Sequence, residues 1–121
     1  MSDAGGYLTT HVLDTARGQP AAGLPLTLYR LDGAARDRIA EAVTNADGRT
    51  DTPILDRENF APGVYELVFQ AGVYLDALGV GKSEHRFLDE VPIRFGIDDP
   101  AAHYHVPLLL SPFGYSTYRG S

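Results

Sequence analysis

Cysteine and tryptophan are both absent from this chain of 121 residues, and methionine occurs once. Without cysteine the chain can form neither disulfides nor thiolate ligands, which suits a reducing compartment, and we expect a cytoplasmic location. The first six residues contain neither the basic nor the apolar segment of a secretory signal. No apolar run approaches the ~20 residues that a membrane-spanning helix needs.

Basic residues are also scarce, because 10 lysines and arginines stand against 16 acidic residues, for a formal charge of −6. Proteins that bind nucleic acid or an anionic membrane surface carry the opposite excess. We therefore expect neither a nucleic-acid nor a membrane partner. No glycine-rich phosphate loop is visible, and we expect no cofactor.

What the chain does have is turn-forming residues, with 13 glycines and 8 prolines spread along its length. This distribution favours many short elements and an all-β fold. The length suits a single domain over residues 1–121, with residues 1–6 expected to be disordered.

Alternating apolar residues predict the strands of this domain. In the first, Leu8, Thr10 and Val12 would face the core, which leaves His11 on the outer face. Further strands are predicted at 24–31, 39–45, 63–70 and 89–97, and another, short one beginning at Arg49. Loops are predicted at 17–23 and 32–38, irregular chain at 50–62, and one short helix at 71–79. Seven or eight short strands indicate a two-sheet antiparallel β-sandwich.

The last nineteen residues, from His103 to Ser121, predict two strands joined by a turn at 111–114. Alternation places His103, His105, Pro107 and Leu109 on one face of the first strand. The opposite face is apolar and consists of Val106, Leu108 and Leu110. Two imidazoles on a strand that is otherwise suited to the core suggest that this terminus is used for chemistry.

The terminal sequence HYHVPLLLSP followed by YSTYRGS resembles the signature of the 5-hydroxyisourate hydrolases, the transthyretin-related enzymes of urate degradation. LTTHVLDT at 8–15 and TNADGR at 44–49 resemble two further motifs of that family. Transthyretin itself, a hormone carrier, lacks the terminal Tyr-Arg-Gly-Ser. The resemblance implies a transthyretin-like sandwich that assembles as a homotetramer, a dimer of dimers, with sites at the dimer–dimer interface.

The implied reaction opens the N1–C6 amide of 5-hydroxyisourate to give 2-oxo-4-hydroxy-4-carboxy-5-ureidoimidazoline. Amide hydrolysis needs a base near neutral pH and positive charge where the oxyanion develops, which histidine and arginine can supply. The resemblance implies that the catalytic residues are His11, Arg49, His105 and Ser121. It further implies substrate binding by His103, Tyr118, Arg119 and Gly120.

Three other interpretations remain open at this stage. A non-catalytic carrier could bind an aromatic ligand in a central channel, although it would not need these histidines, Arg49 and the terminal Tyr-Arg-Gly-Ser together. An extracellular interaction module is disfavoured by the missing signal. His103 and His105, with His11 nearby, could form a metal site, but Arg49 would repel a cation and no carboxylate has matching spacing. We therefore predict no metal.

Overall fold

The computed structural model describes residues 5–120 and contains eight strands and one helix within that range. The strands are β1 (Tyr7–Asp14), β2 (Gln19–Pro20), β3 (Pro25–Asp32), β4 (Ala35–Val43), β5 (Gly63–Gln70), β6 (Glu90–Ile97), β7 (His103–Ser111) and β8 (Gly114–Thr117). Helix α1 (Ala71–Leu78) lies between β5 and β6. Of the residues 1–6 expected to be disordered, 1–4 lie outside the described range, whereas Gly6 is buried and donates its amide to the Pro100 carbonyl at 2.7 Å.

Two four-stranded sheets form a sandwich, with strand orders β2-β1-β7-β8 and β4-β3-β5-β6. The predicted all-β, two-sheet sandwich with one short helix is confirmed. One pairing differs from an all-antiparallel sheet, because β1 and β7 run parallel, with Tyr7 opposite His103 and Thr9 opposite His105. Neighbouring parallel strands need a long connection, and here most of the domain separates the two strands in sequence.

Alternation of side chains along the strands accounts for the core between the sheets. Leu8 and Val12 of β1 and Leu108 of β7 are fully buried, as predicted. They pack in one cluster with residues of the other sheet, which are Leu26, Leu28, Tyr65, Leu67, Phe69, Val91, Ile93 and Ile97. Each large apolar side chain buried in this way contributes roughly 1.5–3 kcal/mol. The tightly packed inner face of β1 and β7 therefore fixes the positions of the residues on their outer face.

Helix α1 ends where the sequence predicts. Gly79 has the left-handed φ of 70°, and its amide donates to the Asp76 carbonyl at 3.0 Å. The amide of Val80 donates to the Leu75 carbonyl at 3.0 Å, which completes a glycine-terminated helix end. The buried face of the helix includes Tyr74 and Leu75. No helix among residues 5–120 is long and apolar enough to cross a membrane.

Three predictions about local structure were wrong. The loop predicted at 32–38 is a two-residue turn, because Gly33 with φ 60° closes a hairpin and β4 begins at Ala35. As an edge strand with an exposed surface, β4 shows little of the apolar alternation that predicts strands. The loop predicted at 17–23 contains the two-residue strand β2, and Arg49 forms an isolated bridge rather than starting a strand.

Candidate active site

The outer face of β1 and β7 carries two aligned rows of polar side chains. Because the strands pair in parallel, Tyr7 lies beside His103, Thr9 beside His105, and His11 beside Pro107. Side chains two residues apart share a face, so the core residues between them fix the direction of these rings. The structure therefore brings His103 and His105 together, with 6.1 Å between ring centroids.

Thr9 bonds to both imidazoles. Its Oγ1 lies 2.6 Å from Nε2 of His103 and 2.8 Å from Nδ1 of His105. His103 also stacks on Tyr7, with 4.1 Å between ring centroids and planes within 7°. These contacts orient both rings. Because Nδ1 of His105 bonds to Thr9, Nε2 is the ring nitrogen of His105 that is left to contact a substrate or water molecule.

Arg49 reaches this face through a tight turn. The Asn45 side-chain oxygen accepts hydrogen bonds from the amides of Asp47 (2.9 Å) and Arg49 (3.2 Å). Gly48 has φ 75°, and a Cβ there would lie 2.4 Å from the Val12 carbonyl, so both the conformation and the close approach require glycine. The resulting antiparallel bridge joins Arg49 to His11.

The C-terminal segment that follows β8, which the structure describes over residues 118–120, contacts His105 at Gly120. The Gly120 amide donates to the His105 carbonyl at 2.7 Å, and the two residues form an isolated bridge. Gly120 packs so closely that an added Cβ would lie 2.5 Å from Cδ2 of the His105 ring. The segment is thus in direct contact with the imidazole. Ser121 lies outside the described residues, so its predicted role stays a prediction.

A cavity of about 390 Å³ opens over this face, and it is lined by Tyr7, Thr9, Thr10, Arg49, Thr50, Asp51, Thr52, Pro53, His103 and His105. His11 adjoins it through its bridge to Arg49. Tyr118 and Arg119 line a different cavity, of about 330 Å³, where the Arg119 guanidinium carbon lies 4.2 Å from the Tyr104 ring centroid. Their predicted contact with substrate stays a prediction.

The electrostatics keep two of these histidines neutral. Burial lowers the pKa of His105 below its ordinary 6.5, and the charges of Arg49 and the neighbouring histidines lower it further, whereas a hydrogen bond to the Thr9 backbone opposes the shift. Burial and Arg49 also lower the pKa of His11, an effect that the Asp47 carbonyl and carboxylate oppose. Neutral imidazoles beside a fixed guanidinium can accept protons while the guanidinium stabilises negative charge. In the part of the chain that the structure describes, no three His, Cys, Asp or Glu side chains group to hold a metal ion.

Two residues of this site were missed from the sequence. Thr9 and Tyr7 share the outer face of β1 with His11, and period-two spacing alone could have indicated them. Their contacts to His103 and His105 depend on the pairing of strands that are about 95 residues apart. Loop residues 50–53, which complete the cavity, have no periodic signal.

Comparisons with known proteins agree with this architecture. Residues 8–120 match the family model described as "Transthyretin: HIUase/Transthyretin family". The chain is 62% identical over 117 residues to the 5-hydroxyisourate hydrolase of Mesorhizobium japonicum, covering 97% of this chain and 94% of that protein.

Two solved structures are also similar. The 5-hydroxyisourate hydrolase of Klebsiella pneumoniae superposes with a TM-score of 0.78 at 36% identity, covering 95% of this chain and 99% of that one. An (S)-allantoin synthase matches with a TM-score of 0.91 at 48% identity; 99% of this chain is covered, but it spans only 45% of that longer chain. Because both its sequence and its fold agree with these proteins, this chain belongs to the HIUase/transthyretin family.

Proposed function

We propose that this protein hydrolyses 5-hydroxyisourate in urate degradation, opening a ring amide to give 2-oxo-4-hydroxy-4-carboxy-5-ureidoimidazoline. The observation that carries the proposal is the placement of His105 and Arg49 in the lining of one cavity. Together they supply the base and the positive charge that amide hydrolysis requires. The 62% identity to a protein named for this activity supports the same substrate.

In the proposed mechanism His105 is the general base. It lines the cavity, and its lowered pKa keeps the ring neutral near pH 7. A water molecule gives a proton to Nε2 of His105 while its oxygen bonds to the amide carbon. The carbon–nitrogen bond then breaks, and the proton passes from His105 to the leaving nitrogen. One imidazole thus acts as base and then as acid.

Arg49 and His11 act together in this proposal. The Arg49 guanidinium stabilises the oxyanion on the former carbonyl oxygen, because it stays charged throughout the reaction. His11 is bridged to Arg49 through the backbone and has a lowered pKa of its own. We assign His11 to positioning the attacking water beside the guanidinium. His103, which lines the cavity, contacts the substrate.

The terminal residues Tyr118, Arg119, Gly120 and Ser121 close and shape the site in the proposed enzyme. Gly120 supports this role most directly, because it packs on the His105 ring. Tyr118 is 58% exposed in the single chain, which leaves it available to a site formed between subunits. Ser121 would add a hydroxyl and the chain's own carboxylate.

We also propose a cytoplasmic homotetramer, a dimer of dimers with sites at the dimer–dimer interface. The large exposed apolar side chains near β8 support this assembly, with Phe113 72% exposed and Tyr115 45% exposed. The half-buried Leu13 and Leu109 continue the apolar surface beside the histidines. In the proposed assembly an opposing subunit packs on this face and covers the cavity.

An absorbance assay with freshly generated 5-hydroxyisourate tests the function. We expect decay of the substrate to be accelerated in proportion to protein concentration. No acceleration over spontaneous decay would overturn the proposal. Stoichiometric binding of an aromatic ligand without turnover would favour the alternative, a transthyretin-type carrier with a central channel.

A further inference from the structure

The hydroxyl of Thr9 lies between two imidazoles, a position that the proposed mechanism leaves unused. Oγ1 is 2.6 Å from Nε2 of His103 and 2.8 Å from Nδ1 of His105. The His103 ring is held by Tyr7 at 4.1 Å, and the Arg57 guanidinium carbon lies 5.0 Å from the Tyr7 ring centroid. Ring stacking therefore orients one imidazole toward Thr9, and strand pairing brings the other beside it.

A hydroxyl has one hydrogen and two lone pairs, so Thr9 can donate at most one of the two bonds. If it accepts both, His105 carries its hydrogen on Nδ1; if it donates one, the two bonds run in the same direction and two arrangements are possible. In the first arrangement, His105 donates Nδ1–H to Thr9 and Thr9 donates to Nε2 of His103. In the second, His103 donates Nε2–H to Thr9 and Thr9 donates to Nδ1 of His105. The two arrangements give His105 opposite tautomers. Only the first leaves Nε2 of His105 with a free lone pair.

The bond lengths favour the first arrangement. Hydrogen bonds donated by O–H are typically shorter than those donated by N–H. The Thr9–His103 bond, at 2.6 Å, is the shorter of the two, which favours the hydroxyl as its donor. The longer bond, at 2.8 Å, then has Nδ1–H of His105 as its donor.

We propose that Thr9 is a positioning residue, whose hydroxyl, oriented by His103, fixes His105 in the tautomer that accepts a proton at Nε2. The catalytic meaning of this assignment rests on the proposed function, which requires a base at that atom. Thr9 itself acts only through His105. At metal sites, partners that fix an imidazole's tautomer and orientation are worth about 10–100-fold in activity, and we expect a loss of similar size here.

The test measures the tautomer of His105 and the turnover of substrate in separate experiments. Long-range ¹H–¹⁵N correlation spectra of the ligand-free protein, above the titration range of its imidazoles, report which nitrogen carries hydrogen. Thr9→Val removes the hydroxyl at nearly constant shape, and Thr9→Ser restores it. Thr27→Val, on β3 of the opposite sheet, is the matched control. His103→Phe keeps a ring against Tyr7 but removes the acceptor, which frees the hydroxyl to donate to His105.

We expect His105 to carry hydrogen on Nδ1 in the native, Thr9→Ser and Thr27→Val proteins, and on Nε2 in Thr9→Val and His103→Phe. Turnover should fall about 10–100-fold in Thr9→Val and stay within a few-fold of native in Thr9→Ser. Hydrogen on Nε2 in the native protein, or an unchanged tautomer in either disrupting variant, would overturn the proposal. Native protein with the expected tautomers but no hydrolysis would overturn the proposed function and leave the Thr9 assignment supported.

Discussion

Replacing Gly120 by alanine places a methyl group against the His105 ring. The new Cβ would lie 2.5 Å from Cδ2 and 3.1 Å from Cγ of that ring. Carbon atoms pack at about 3.5–4.0 Å, so the ring or the terminal segment must move by about 1 Å. A displacement of that size at a reacting group can cost ~10²-fold in rate, which corresponds to about 2.7 kcal/mol of activation free energy.

The same change should leave the sandwich folded. The described part of the segment is attached at Gly120 by its hydrogen bond to the His105 carbonyl, and it contributes nothing to the core cluster. Losing that bond costs about 0.5–1.5 kcal/mol. We therefore expect a small decrease in melting temperature together with a large decrease in turnover.

Gly96→Ala is the matched control, because an added methyl there meets no atom within 4 Å. Steady-state turnover of 5-hydroxyisourate and thermal melting would be measured for the native protein and both variants. Turnover of Gly120→Ala at the level of Gly96→Ala would refute the reasoning, because it would show that contact with the terminal segment does not position His105.

Four further predictions test the site, its electrostatics, the core and the assembly. His105→Asn should lower kcat by about 10²–10⁴, whereas His85→Asn, at an exposed loop histidine, should not; equal losses would contradict the assignment of the base. The acid limb of kcat/KM should have its midpoint below 6.5, because the pKa of His105 is lowered and a protonated ring cannot accept a proton. A midpoint above 6.5 would speak against His105. Tyr74→Phe should reduce the free energy of unfolding by about 1–3 kcal/mol, because it removes the 2.7 Å hydrogen bond to the buried Asp14 carboxylate. An unchanged free energy of unfolding in a urea titration would show that this bond does not stabilise the fold. Sedimentation velocity at micromolar concentration should show a tetramer, and a monomer at every concentration would contradict both the assembly and a site between subunits.

The direction of each strand side chain could be predicted from the sequence, because alternation is a local property. Leu8 and Val12 point inward and His11 outward, as the spacing of β1 predicts. The same holds for His105 between Tyr104 and Val106 on β7. Alternation did not predict the strand where few of its residues are buried. Strand β4 lies at a sheet edge with most of its residues exposed, so its polar segment at 35–38 has the pattern of a loop.

The partners of the site residues could not be predicted, because they depend on contacts between distant segments. Alternation places Thr9 and His105 on outer faces, but only the parallel register makes them neighbours. Asp14, the last residue of β1, is buried and accepts a hydrogen bond from Tyr74 of the helix, 60 residues away, a contact that no local pattern indicates. The position of Arg119 over Tyr104 likewise follows from the path of the terminal segment.

The site therefore combines two kinds of structural support with different consequences for mutation. His105 and Thr9 stand on β7 and β1, whose opposite faces are buried, so their spacing is as rigid as the core. Arg49 and Gly120 reach the same place through isolated bridges to His11 and His105, outside the named strands. Bonds of this kind can open without unfolding the core. Substitutions in the turn at 45–49 or in the terminal segment should consequently alter turnover more than stability, whereas substitutions on the inner faces of β1 and β7 should alter both.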